Sequence, residues 1–176
     1  MAYFTAVIAR SGSSWKARDV EVDEAGSLDE LADSLRQSAV DDQPVLAVIE
    51  HEDEWFALVR VDGEDEPRLF VSDLPAAMRS HYAGLLAAAA DVDVDDPQPA
   101  DEDAEESGGD SDPDDDAEPA EPVALAWAGD PDLLDDLGVS GRVLRKLSED
   151  RGDDPGTVLA EVGETVGFAG LLDALR

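Results

Sequence analysis

The chain has no cysteine. Disulfides, thiolate-held zinc, iron–sulfur clusters and thiol nucleophiles are therefore excluded. Basic residues are scarce as well. Lys and Arg number 12, only two of them Lys, against 45 Asp and Glu, for a net charge of −33 in 176 residues. Binding a phosphate backbone relies on Lys and Arg displacing counterions. No basic cluster exceeds Arg142, Arg145 and Lys146, so direct nucleic-acid binding and attachment to anionic membranes are disfavoured. Long-range attraction favours a basic protein partner. Long apolar runs are missing too. The longest, residues 85–90, falls far short of the roughly 18–20 residues a membrane span needs. No basic region precedes the first apolar stretch, so no signal peptide is expected and the cytoplasm is the expected compartment.

Histidines and aromatics are few. The two histidines, His51 and His81, stand 30 positions apart and not at metal-ligand spacing. His51 falls in a charged turn and His81 on an expected helix. Each is expected to be structural or exposed, because a catalytic base needs a partner within reach of its substrate. Asp93-Val94-Asp95-Asp96 and Asp112-Pro113-Asp114-Asp115-Asp116 can attract Mg²⁺ or Ca²⁺ only loosely, because neither has the central Gly and closing Glu of a calcium loop. Ser107-Gly108-Gly109-Asp110 has no Lys and is no phosphate loop. No catalytic, cofactor-binding or metal-ligating residue is assigned, and no cofactor is implied. Trp15 and Trp55 lie in strand patterns and are expected in the core. Trp127 serves equally well as a core or an interface anchor.

The acidity is unevenly spread. Residues 91–122 hold 16 acids and no base, five of the ten Pro, and Val92 and Val94 as their only large apolar residues. Such a stretch cannot bury enough surface to offset the entropy of ordering. It is expected to be a disordered, self-repelling linker. Outside it, 40 Leu, Ile, Val and Phe stand in 144 residues, enough for a folded core.

Residues 1–90 predict an α+β domain with an antiparallel sheet in ββαβββα order. Residues 2–9 form a strand, a Ser-Gly-Ser-Ser turn follows, and residues 15–22 complete a hairpin. Ser27 and Glu30 match a capping box, ahead of Leu28, Leu31, Ala32 and Leu35 at helical spacing. Residues 45–49 and 55–61 are strands. Phe56, Leu58 and Arg60 are assigned to one face, and Trp55, Ala57, Val59 and Val61 to the other. Residues 68–71 make a short last strand in a meander. Asp73 and Pro75 open a helix with an apolar face from Ala77 to Ala89. Residues 123–176 predict a brief strand or docking segment ending at Trp127. Four short helices follow, opened by Asp130-Pro131, Ser140 and Asp154-Pro155, with a last one around Phe168. Each is too short to be stable alone, so the segment is expected to pack on the first domain. Nothing in the sequence selects an oligomeric state.

Three stretches resemble a known family. They are residues 4–9 with Trp15 and the 28–35 helix; residues 45–72, closing with Leu69-Phe70-Val71-Ser72-Asp73 and Ala76-Ala77; and Trp127-Ala128-Gly129-Asp130 with Leu133-Leu134-Asp135-Asp136-Leu137-Gly138-Val139 and Val166-Gly167-Phe168. In this order they resemble the tRNA adenosine deaminase-associated proteins of actinobacteria, whose genes neighbour that of the tRNA-specific adenosine deaminase. The resemblance implies a non-enzymatic accessory protein linked to adenosine-to-inosine deamination of tRNA, with the deaminase as its partner. It supplies no functional residue. The deaminase's own zinc signature, His-x-Glu followed by Pro-Cys-x-x-Cys, has no counterpart in a chain without cysteine. The alternative is an acidic mimic of nucleic acid that regulates basic proteins, with dense carboxylates standing in for phosphates.

Overall fold

A computed structural model describes residues 3–51, 54–91, 126–149 and 154–175. Six strands form one antiparallel sheet: β1 (Tyr3–Ser11), β2 (Ser14–Arg18), β3 (Val45–His51), β4 (Trp55–Val61), β5 (Arg68–Val71) and β6 (Ala128–Gly129). Their spatial order is β2-β1-β3-β4-β5-β6. The helices are α1 (Leu28–Ser38), α2 (Leu74–Ala77), α3 (Ala83–Leu86), α4 (Gly141–Glu149), α5 (Pro155–Val166) and α6 (Ala169–Leu175). The α+β class and antiparallel sheet predicted from the sequence are what the structure has. Among the described residues no helix is long and apolar enough to cross a membrane.

Successive strand side chains point to opposite faces, and here both faces are covered. One face presents Val7, Val45, Ala47, Ile49, Trp55 and Val59 to Leu31 and Leu35 of α1 and to Tyr82, Leu85 and Leu86 around α3. The other presents Ile8, Leu46, Val48, Phe56, Leu58 and Phe70 to Leu144, Leu159, Val162, Phe168 and Leu172 of the C-terminal helices and the loop before α6. Burial on both faces explains why β3 and β4 read as near-continuous apolar runs rather than alternating ones. The split of β4 into its two faces follows the register expected from the sequence.

Local signals account for several ends. Gly12, at φ +64°, makes the turn between β1 and β2, a conformation glycine adopts freely. Ser27 Oγ accepts the Glu30 amide at the start of α1. The Glu30 carboxylate reaches back one residue further than a capping box requires, to the Gly26 amide at 2.8 Å. Asp73 and Asp154 cap α2 and α5 through the amides of Ala76 and Thr157.

Besides His51, expected in a charged turn but found as the buried last residue of β3, the structure departs from expectation in four places. First, β2 stops at Arg18, and Val22 is instead buried from a 3₁₀ turn over Val22–Glu24. Second, the helix expected after Asp73 is broken into α2, α3 and a 3₁₀ turn over Ala87–Asp91. Ser80 is the cause. Its hydroxyl donates to the Ala77 carbonyl and accepts the Tyr82 amide, competing with the helical ladder. Met78 and His81, expected on the apolar face, are left exposed. Third, residues 131–137 form turns and a short 3₁₀ helix over Asp135–Leu137 rather than an α-helix. The Leu133 carbonyl is taken by Arg60 at 2.6 Å, so it is engaged outside the helical ladder. Fourth, the brief strand falls at Ala128–Gly129, just past Trp127. The acidic stretch 91–122, with its candidate metal-attracting aspartates, lies outside the described residues after Asp91.

Candidate functional site

Past β2 the chain leaves the sheet, and its first residues are acidic. Asp19, Glu21 and Glu24 face Glu30 and Asp33 of α1 across an open groove of about 630 Å³. The Nε of Arg18 donates to the Ser38 carbonyl at the end of α1, 3.2 Å away, and so ties one wall of the groove to the other. Arg36 pairs with Asp33 at 2.9 Å, which leaves the remaining carboxylates crowded. Glu21 registers the crowding. A hydrogen bond with Glu24, the charge of that carboxylate, desolvation and the charges of Asp19 and Asp23 hold the Glu21 carboxyl above its ordinary value. Like charges in proximity disfavour ionisation. A cationic group placed in the groove relieves this repulsion. Among the described residues no cluster of side chains is arranged to hold a metal ion. The groove is an open, negatively charged surface.

The structure brings the two histidines to one place. Tyr3, His51 and Trp55 are cross-strand neighbours on β1, β3 and β4. The Tyr3 ring lies 4.4 Å from His51 and 4.5 Å from His81. His51 is buried, stacks on Trp55 and sets Nδ1 3.0 Å from the Glu54 carboxylate. His81 is half exposed, with Nε2 3.9 Å from Asp23. The Tyr82 hydroxyl donates to the same Asp23. Among the described residues no hydroxyl is hydrogen-bonded to either imidazole. The cluster is a packed aromatic plug that fastens the 3₁₀ turn beside the groove to the α2–α3 loop. Strand register carries the signal for Tyr3, His51 and Trp55 as neighbours. His81 arrives from a loop, and no spacing in the sequence shows it.

All three tryptophans are core residues. Trp15 meets Phe168 edge-on and donates to the Val166 carbonyl. Trp55 lies in the α1 face of the sheet. Trp127 stacks on Phe70, with the Arg145 guanidinium 5.7 Å over its ring. Among the described residues Arg60 is a buried charge, 3% exposed. It binds both Asp62 and the Asp136 carboxylate, as well as the Leu133 carbonyl. Burial works to lower its pKa, but the hydrogen bonds to Asp136 and Asp62 prevail and raise it. The same contact with Arg60 holds the Asp136 carboxyl below its ordinary value. This network fastens residues 131–137 to the sheet.

The family model described as Rv3753c-like tRNA adenosine deaminase-associated protein matches residues 3–169. The chain belongs to this family. The match spans the sheet and the helices on both of its faces up to the start of α6, and it agrees with the resemblance read from the sequence. The family description associates these proteins with the deaminase and does not make them the deaminase. Comparison with curated proteins and with solved structures returns no match.

Proposed function

We propose that this chain is a non-catalytic, cytoplasmic accessory protein that docks on the tRNA adenosine deaminase through its acidic surface. The observation that carries the proposal is the groove of Asp19, Glu21, Glu24, Glu30 and Asp33 in a deaminase-associated protein. Its carboxylates repel one another until a basic surface neutralises them. A tRNA-binding enzyme carries such a surface, because phosphate recognition relies on Lys and Arg. Docking there guides assembly and restrains non-specific RNA binding. Size-exclusion chromatography of the two purified proteins at low and moderate salt tests the reading. Co-elution at low salt that is lost in Glu21→Lys/Glu24→Lys supports it, and separate elution at both salts rejects it. Equal binding to polylysine and to unrelated basic proteins favours the nucleic-acid-mimic alternative instead.

A further inference from the structure

Strand β1 is longer than the strand beside it. β2 pairs with β1 from Val7 to Ser11, whereas β3 pairs with β1 from Tyr3 to Ala9. Among the described residues, no strand pairs with the outer side of β1 before Val7. Antiparallel pairing sends the backbone groups of alternate residues to opposite sides. Arg10 gives its amide hydrogen to the Pro44 carbonyl, on the β3 side. Phe4 and Ala6 share that direction, and Thr5 points outward. The Thr5 amide and carbonyl have no partner among the described residues. Exposed edges are commonly blocked by a charge or a proline. β2 carries Lys16 on its edge, but residues 3–6 are Tyr-Phe-Thr-Ala.

Space adjoins this open edge. A cavity of about 320 Å³ lies between Thr5, Ala6 and Val7 and the loop that follows Arg18. The loop wall carries Asp19, Glu21, Asp23 and Glu24, and Leu175 of α6, 45% exposed, adds an apolar contact. The basic residue of the wall, Arg18, turns its Nε to the Ser38 carbonyl. The slot thus combines the outward backbone groups of Thr5 with a negatively charged wall on the far side of the loop that borders the acidic groove.

We propose that the slot takes an extended basic segment of a partner protein, added as a strand beside residues 3–6 in line with β2. Thr5 supplies the main-chain hydrogen bonds, as in other strand-addition complexes. Lys or Arg side chains of the segment meet Asp19, Glu21, Asp23 and Glu24. Charge decides the occupant. A second copy of the chain brings the same four acids against these four. The chain's own residues 91–122 carry 16 acids and no base and are repelled. The inference deepens the accessory-protein reading and rests on it for a protein partner.

The test uses the full chain with three short peptides. One alternates lysine and valine, one alternates glutamate and valine, and one is the lysine peptide N-methylated on alternate residues. Affinity is read by fluorescence anisotropy, and exchange of the Thr5 amide by NMR. The lysine peptide is expected to bind and to slow Thr5 exchange. N-methylation, which keeps the charge and removes the ladder, costs about tenfold in affinity, as does Glu21→Lys/Glu24→Lys. The glutamate peptide does not bind. Equal binding of the N-methylated peptide, or an unprotected Thr5 amide, overturns strand addition. A dimer with Thr5 already protected in the free protein gives the edge to a second copy and also overturns the proposal. The peptide assay contains no deaminase. Its failure therefore leaves the accessory reading standing, and a deaminase that fails to bind leaves a peptide-binding slot intact.

Discussion

Replacing Asp136 with asparagine keeps an oxygen for Arg60 but removes the charge. Arg60 retains Asp62 and the Leu133 carbonyl, so the loss is that of one charge-assisted contact, about 1–2 kcal/mol. The pH dependence follows from the sign of the shift. The Asp136 carboxyl lies below its ordinary value of 3.8 in the folded chain. Its contribution is present above that ordinary value and is lost as pH falls through the lowered one. Urea melts of the wild type and Asp136→Asn are expected to differ by a constant amount near neutrality and to converge in strong acid. Equal stability of the two at pH 7 contradicts the assigned role. Arg60 could be placed on a sheet face from its strand, but its partner 76 positions away could not. The sequence holds many aspartates, and only the fold selects one.

At the scale of elements, β6 is the most exacting. Gly129 has φ +97°, and a Cβ there would lie 2.0 Å from the Leu69 carbonyl oxygen. Gly129→Ala is expected to destabilise the chain by about 3 kcal/mol. Gly170→Ala in α6, where an added Cβ meets nothing within 4 Å, is expected to be neutral or to stabilise by up to about 1 kcal/mol. Thermal melts of the pair check both. Strands β1, β3, β4 and β5 and helices α1, α4, α5 and α6 were legible because their signals are local: apolar runs, a capping serine, and Asp-Pro or Gly at the ends. The broken helix after Asp73 and the turns at 131–137 were not. In each, a hydrogen bond from Ser80 or Arg60 to a backbone carbonyl outweighs a periodicity that looks helical. The acidic groove was half legible. Its charge was plain, but its walls come together only when the loop after β2 faces α1.

For the molecule as a whole, the sheet has an apolar face that, among the described residues, those after 126 cover. Ile8, Leu46, Val48, Phe56, Leu58 and Phe70 pack against the C-terminal helices and Trp127. A chain ending at Asp91 exposes this face, and contiguous apolar patches of more than a few hundred Å² drive association. The truncated chain is expected to aggregate, and adding residues 126–176 in trans is expected to restore a soluble species, as read by light scattering. A soluble, stable truncated chain contradicts the two-faced core. The remaining charge is displayed on this scaffold, and its purpose is best judged against the proposed partner. Calorimetric titration of the full chain with purified tRNA adenosine deaminase, repeated across a salt series, is the most direct measurement. The account predicts a saturable complex at low salt. Its affinity falls steadily as salt rises, and Glu21→Lys/Glu24→Lys weakens it by about tenfold. No heat of binding at the lowest salt, or an affinity indifferent to salt and to those substitutions, would contradict it.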